Sequence, residues 1–417
     1  MRIAILHSLL FGLLTISCSS PPEVTIQIHN PLDRERKDAN ILLSRGEIGR
    51  WVDIPADMLP VLTDAEGSYI PSQVDDVDGD GQWDELFALR DMDAQEALNI
   101  TVKFILPESY PQFQVRTNLH LGDATDDYQE LFRARRLEGI SYENYAEVTE
   151  ATFQMEGVAW ENDRVGFRNY MDQRNGMDIF GKTTDAMVLD QVGIEGAPSY
   201  HEPGEWGMDV LKVGSSLGAG AIAYMFGDSL YRVGDNGTGT YEVIFQGPLR
   251  SRFRLDYVDW QLGEEKVNVS HQIQIVAGRP CYGNLVTYGG TEESLALVPG
   301  IVNMLSDSLY VLQLNDQYTA LLTHDQQAED GSLLSMALVI PRLFLLSTGE
   351  TSEEGPGITQ TYFACLDASP DNAQFYRFYA FWEKEDPLWG SLEEIVSYLK
   401  TEAERLSQSI IYHNTIN

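Results

Sequence analysis

Cysteine and basic side chains are scarce in this sequence, and each scarcity removes a class of function. Only three of the 417 residues are cysteine. Cys281 and Cys365 stand far apart with no metal-type neighbour, so they form either one disulfide or two buried thiols, and both are read as structural. Lysine and arginine total 28 against 64 acidic residues, a formal charge of -36. Such a surface repels a phosphate backbone, which argues against nucleic acid as a partner. No phosphate-cradling loop occurs. Nucleotide-dependent chemistry therefore lacks its signature, and no organic cofactor is expected.

Long apolar runs are also missing, apart from one at the start. Met1 and Arg2 lead into a largely apolar stretch from Ile3 to Leu14 and then Thr15-Ile16-Ser17-Cys18. This has the basic, apolar and small-residue regions of a secretory signal and is too short to span a bilayer. A cysteine at the cleavage point, followed by Ser19-Ser20-Pro21-Pro22, predicts a bacterial lipoprotein, although Thr15 stands where leucine is usual. The expectation is a signal peptide over 1–17, a lipidated tether over 18–23, and export to the periplasm or outer membrane. Membrane contact would be made only through a lipid on Cys18.

What remains is enough for a large core: 43% of residues are hydrophobic, and the length suits two domains. Val24 to His29 and Leu98 to Phe104 alternate as half-buried strands do, which predicts a small β-sandwich over 24–118. Proline-bearing residues 107–127 read as the linker. In the rest, 119–417, Val267, Val269, His271, Ile273 and Ile275 fall on one face of a strand. Phe253, Leu255 and Tyr257 alternate likewise, and Phe375 to Trp382 is an aromatic strand. The predicted fold is all-β, with the small sandwich joined to a large sandwich of two sheets. One helix is expected near the end, where Ser391 and Glu394 form a capping pattern before the stripe Ile395, Tyr398, Leu399 and Leu406.

Asp76-Val77-Asp78-Gly79-Asp80-Gly81-Gln82-Trp83-Asp84 places oxygen donors at alternate positions around a glycine turn. Hard cations need six to eight oxygens, so Asp76, Asp78, Asp80, Asp84 and the Gln82 carbonyl are the expected ligands of a structural calcium ion. The bland alternative is an acidic, solvated hairpin tip. Phe87 stands where an EF-hand would carry its bidentate glutamate.

Site-type residues concentrate between Trp160 and Lys212. In a strand, Arg164, Gly166, Arg168 and Tyr170 share one face, and two guanidiniums there suit an anionic sugar. The alternative is a structural network in which Glu161, Asp163 and Asp172 neutralise both arginines. His201 lies in a loop between Pro198 and Pro203, whereas His271 sits in an apolar row and reads as a core histidine. His324, beside Asp325, is a weaker candidate. A metal site from His201, Glu202, Glu205 and Asp209 matches no familiar ligand spacing.

Several runs together resemble the domain of unknown function 4861 family. They are Trp160-Glu-Asn-Asp-Arg-Val-Gly-Phe-Arg-Asn-Tyr170, Asp178-Ile-Phe-Gly-Lys182, Tyr200-His-Glu-Pro-Gly-Glu-Trp-Gly-Met-Asp209 with Lys212-Val-Gly214, and Gly247-Pro-Leu-Arg-Ser251. The acidic loop from Asp76 belongs to the same set. The resemblance implies a secreted protein of polysaccharide-degrading bacteria whose large sandwich is similar to galactose mutarotase. It also implies, for some members, β-elimination on uronate-containing oligosaccharides such as those from ulvan. Elimination needs a cation on the carboxylate, a base for the neighbouring carbon-bound proton and an acid for the leaving oxygen. Arg168 with Arg164 is the expected carboxylate clamp, His201 or Tyr170 the base, and the other or Tyr200 the acid. Trp160, Glu161, Trp206 and Lys212 complete the expected substrate-binding set. Two rivals stand beside this reading. One is a hydrolase using paired carboxylates among Glu161, Asp163, Glu205 and Asp209. The other is a non-catalytic binder in which Trp160, Trp206, Trp382 and Trp389 stack on sugar rings.

Overall fold

A computed structural model of the chain describes residues 21–123, 129–130, 136–141, 152–234, 238–370 and 372–414. The expected signal segment and the lipidation site at Cys18 lie outside them.

The first unit is a small sandwich. A four-stranded sheet in the order Ile411–Asn414, Glu23–His29, Ala97–Ile105, Leu59–Thr63 packs on a three-stranded sheet of Arg36–Ser44, Glu85–Met92 and Ser72–Asp75. Alternation in both sheets puts Ile26, Ile28, Ile41, Leu43, Leu86 and Val102 into one core. The chain's last strand belongs here, with Ile28 opposite Tyr412. The small unit is therefore closed by both ends of the chain and is not confined to 24–118.

The large unit is all-β and antiparallel. Its nine-stranded sheet runs in the order 136–141, 238–246, 250–262, 265–276, 281–289, 374–382, 334–341, 318–325, 310–313. The second layer, expected as one sheet, is two five-stranded sheets. One holds 207–209, 177–182, 165–170, 157–162 and 117–120; the other holds 229–232, 219–226, 296–302, 361–367 and 345–350. A parallel bridge, Met177 to Gly218, joins them. Trp160, Phe167 and Ile179 from one, Tyr224 and Leu297 from the other, and Phe253, Ile273, Tyr282 and Phe378 from the large sheet fill the space between layers. The strand at 265–276 shows the predicted alternation, with His271 buried and its Nε2 2.7 Å from Asn284 Oδ1. Burial pushes the His271 pKa down to about 4. Cys281 and Cys365 are both free, buried thiols.

The other face of the large sheet is covered by the helix Leu392–Ser407, whose Ile395, Leu399 and Ala403 pack on Ala320, Leu322, Tyr379 and Phe381. Ser391 caps it by accepting the Glu394 amide. Trp389 packs in this same core.

Candidate functional site

The site grows from the outer face of the sheet formed by Gly157–Asn162, Val165–Tyr170, Met177–Lys182 and Gly207–Asp209. Residues alternate across a strand, so while Trp160, Phe167 and Ile179 point into the sandwich, Glu161, Arg168, Tyr170, Asp178, Phe180, Lys182 and Asp209 point the other way. That second face is not open to solvent. Met155, Leu189, Val192, Tyr200 and Trp206, from the turn before the first strand and from the segment between Lys182 and Gly207, cover it and pack on Ala159 and Phe180. A polar layer is thereby sealed between a sheet and a loop. Gly207 has φ +130°, and a Cβ there would stand 1.8 Å from the Gly181 carbonyl oxygen, so only glycine allows the short strand that delivers Asp209.

Arg168 is the centre of the layer and is 1% exposed. Its Nη2 donates to Asp178 Oδ2 at 2.6 Å, to Asp209 Oδ2 at 2.9 Å and to the Tyr170 hydroxyl at 2.6 Å. Its Nη1 donates to the Met155 carbonyl at 3.1 Å and the Tyr200 hydroxyl at 3.3 Å. Tyr170 in turn donates to Asp178 Oδ2 at 2.6 Å. Met155 and Glu156 both hold positive φ, at 53° and 62°. Two non-glycine residues in that region cost about 1–3 kcal/mol each, a strain that aims the Met155 carbonyl at the guanidinium. Burial and the adjacent Asp178 push the Asp209 carboxyl well above the usual carboxylate range, with Arg168 opposing them. Burial, then Asp178, pushes the Tyr170 phenol well above its ordinary value.

One edge of this layer reaches water. His201 is 63% exposed, and its Nδ1 lies 3.5 Å from Asp209 Oδ2. The Tyr200 ring, half-buried, sits 4.2 Å from the His201 ring and packs edge-on against Phe180. The Asp209 amide donates to the Tyr200 carbonyl at 2.8 Å, which ties the loop to the strand beneath. His201 and Tyr200 thus form the accessible rim of a closed network.

The structure corrects several expectations. Arg168 is saturated by protein oxygens and cannot clamp a substrate carboxylate, and Tyr170 is buried with it. Arg164 does not join them; its Nε pairs with Glu385 at 2.5 Å and its Nη2 with Asp386 at 3.5 Å, just ahead of the C-terminal helix. Both arginines are structural, as the alternative held, but with different partners: Asp163 serves Arg116, Asp172 serves Arg174, and Glu161 serves Lys182. Trp160 is 0% exposed and ringed by Phe167, Phe253 and Tyr282, so it cannot stack on a sugar. Glu161 is also fully buried. It takes the Lys182 ammonium at 2.6 Å and the Val188 and Leu189 amides at 2.7 and 2.8 Å, pinning the covering segment to the sheet. Trp206 remains half-buried against Phe180, and Lys212 is exposed. Asp178 and Asp209 were the partners hardest to single out. The only hint in the sequence is a residue of opposite charge on the next strand of a short hairpin, where Asp178 indeed faces Arg168.

At the acidic hairpin tip, ligand oxygens of Asp76, Asp78 and Asp84 lie within 4.8 Å of one another. These hard donors fit a divalent cation, with further oxygens needed to complete the shell. Asp80 does not join them; its oxygens accept the Gln82 backbone amide at 2.7 Å and side-chain amide at 3.1 Å. Backbone amides also serve the other carboxylates, Gly79 on Asp76 at 2.7 Å and Val77 on Asp84 at 2.7 Å.

Uncharacterized protein P7 of Formosa agariphila is 30% identical over 152 residues, covering 32% of this chain and 38% of that protein. Two solved structures are similar in shape over 94% of this chain: a glycosyl hydrolase family 38 protein from Enterococcus faecalis (TM-score 0.49, 7% identity, 47% of that chain) and an alpha-mannosidase from Enterococcus faecalis V583 (TM-score 0.48, 8% identity, 46% of that chain). The chain thus spans under half the length of each of these three proteins. The pattern of one family, described as a domain of unknown function (DUF4861), matches residues 28–411, and the chain belongs to that family.

Proposed function

We propose that the protein is a carbohydrate-active enzyme that cleaves uronate-containing oligosaccharides by β-elimination, with His201 as base and Tyr200 as acid. The observation that best supports this is the His201–Asp209 contact at the rim of a network otherwise closed to water. With Nδ1–H turned to Asp209 Oδ2, which fixes that tautomer, the Nε2 lone pair is left for a substrate proton. The Tyr200 hydroxyl oxygen accepts from Arg168, which leaves its own proton for a leaving oxygen. In the reaction His201 takes the proton next to the carboxylate, the electron pair forms a carbon–carbon double bond, the C4–oxygen bond breaks, and Tyr200 protonates that oxygen. A glycosidic oxygen as leaving group makes the enzyme a lyase; a terminal hydroxyl makes it a dehydratase. Lys212 is the exposed cation available for the uronate. Among the described residues it has no ion-pair partner, and it follows Asp209 by three positions.

The rival readings are less well supported. Asp178 and Asp209 form a close carboxylate pair beneath the His201 rim, yet both are buried and share one guanidinium nitrogen, whereas a glycosidase needs two carboxyl groups flanking the sugar about 5–9.5 Å apart. A stacking platform is reduced to Trp206, since Trp160, Trp382 and Trp389 are core residues. The substrate class itself comes from the family resemblance. The reading includes export with a lipid on Cys18 and calcium bracing the small sandwich at Asp76, Asp78 and Asp84. The test is near-ultraviolet absorbance on mixing the protein with short uronate-terminated oligosaccharides. A rise that is lost in His201→Ala is expected. New reducing ends without absorbance would establish hydrolysis instead, and binding without either product would leave a carbohydrate-binding protein.

A further inference from the structure

Beneath the end of the C-terminal helix the protein gathers more positive charge than it neutralises. Glu402 is fully buried there and is held by Arg405 Nη1 at 2.6 Å and the Tyr379 hydroxyl at 3.3 Å. Further guanidiniums converge on the backbone of residues 35–38 of the small sandwich. Arg405 Nη2 donates to the Glu35 carbonyl at 3.5 Å, Arg279 Nη2 donates to the Asp38 carbonyl at 3.3 Å, and Arg36 belongs to the stretch itself. Arg377 lies two residues from Tyr379 on the same strand, hence on the face toward the helix.

Among the described residues, Glu402 is the one carboxylate within ion-pair distance of any of these four arginines, and it is already paired with Arg405. Asp38 gives both its oxygens to Arg116. Arg36 finds neutral acceptors in Asn30 Oδ1 at 2.7 Å and the Gln408 carbonyl beyond the helix. The Nε groups of Arg279 and Arg405 are buried with no partner, and Arg279 is only 8% exposed. A guanidinium keeps its proton in any protein setting, so it cannot escape by neutralising. The crowding shows at Arg36, whose pKa is pushed down to about 10 by burial and then by Arg405 and Arg279.

We infer that this junction is a binding site for a small inorganic oxyanion of the sulfate or phosphate kind, held between Arg279, Arg405 and Arg36. The planar forks of the guanidiniums match oxyanion oxygens, and the burial of the site limits the ligand to a small one. The site shares no residue with the His201 cluster. A bound anion there fastens the small sandwich through Arg36, the large sheet through Arg279 and the helix through Arg405.

Titration calorimetry and thermal melts of the full chain with sodium sulfate or phosphate test this, with sodium chloride holding ionic strength constant so that a general salt effect cancels. Saturable binding and a matching rise in melting temperature are expected from linkage. In Arg279→Gln the affinity should fall about tenfold or more, and the anion-free protein should melt no lower than the wild type because an unpaired buried charge has been removed. Arg36→Gln serves as the second variant should Arg279→Gln fail to fold. Absence of saturable binding to either oxyanion by the wild type overturns the inference, as does equal affinity in the arginine variant.

Discussion

Lys182→Met is the perturbation with the most calculable outcome. The Lys182 ammonium and the Glu161 carboxylate are each 0% exposed and 2.6 Å apart, with a second bond from the ammonium to the Asn162 carbonyl at 2.7 Å. Methionine keeps most of the apolar stem but leaves Glu161 as a buried charge with amide donors and no counter-ion. Breaking a buried pair from one side costs about 3–5 kcal/mol. In the double variant Lys182→Met/Glu161→Gln the charge is gone, while one amide oxygen still accepts from the Val188 and Leu189 backbone. It should recover roughly half or more of that loss, since removing both partners is far cheaper than stranding one. Urea denaturation at equal m-value measures each difference. Because the Glu161 bonds pin the segment that carries Tyr200 and His201, the single variant should also lose activity while still folded, and the double should regain it. A single variant within about 1 kcal/mol of wild type, or a double no better than the single, would refute the argument from unpaired charge.

Three further outcomes are expected. Arg168→Ala strands two buried carboxylates and should destabilise the fold by about 3–5 kcal/mol, whereas His201→Ala, at an exposed position, should leave the melting temperature nearly unchanged. Parallel melts of the two variants check this, and equal stability would contradict the described burial. Calcium should raise the melting temperature and a chelator reverse it, with the response lost in Asp78→Asn; a flat titration would remove the cation from the hairpin tip. The His271 pKa of about 4 lies below the ordinary 6.5. The unfolded chain therefore binds the extra proton first as pH falls. Its contribution is present above pH 6.5 and is lost progressively down to pH 4, about 3 kcal/mol in all. His271→Gln should abolish that part of the acid sensitivity, and an unchanged slope between those pH values in chemical denaturation would contradict it.

Local patterns in the sequence carry much of this protein. Strands with one face in the core announce themselves by alternation, as at 250–262 and 265–276, because apart from Val258 the exposed positions there are polar. The capped helix at 392–407 is equally legible. The same logic fails for 157–162, 165–170 and 177–182, where every residue is buried because a loop covers the second face. Arg168, Tyr170 and Glu161 read there as a groove lining, and proved to be the inside of a sealed polar layer. Two-sided burial leaves no period that distinguishes a charged residue facing water from one facing a partner.

The amino-acid sequence by itself determined the all-β class, the C-terminal helix, the satisfied core histidine and the exposure of His201, since each depends on residues within a few positions of one another. Tertiary structure alone decided what depends on distant segments meeting. It set Arg168 against Asp178 and Asp209, brought His201 to Asp209 and carried the last strand back to the first. It also left Cys281 and Cys365 as separate buried thiols and gathered four arginines around Glu402. The physical reason is that backbone periodicity is local, while the partner that neutralises a buried charge is chosen by the packing of sheets and covering loops.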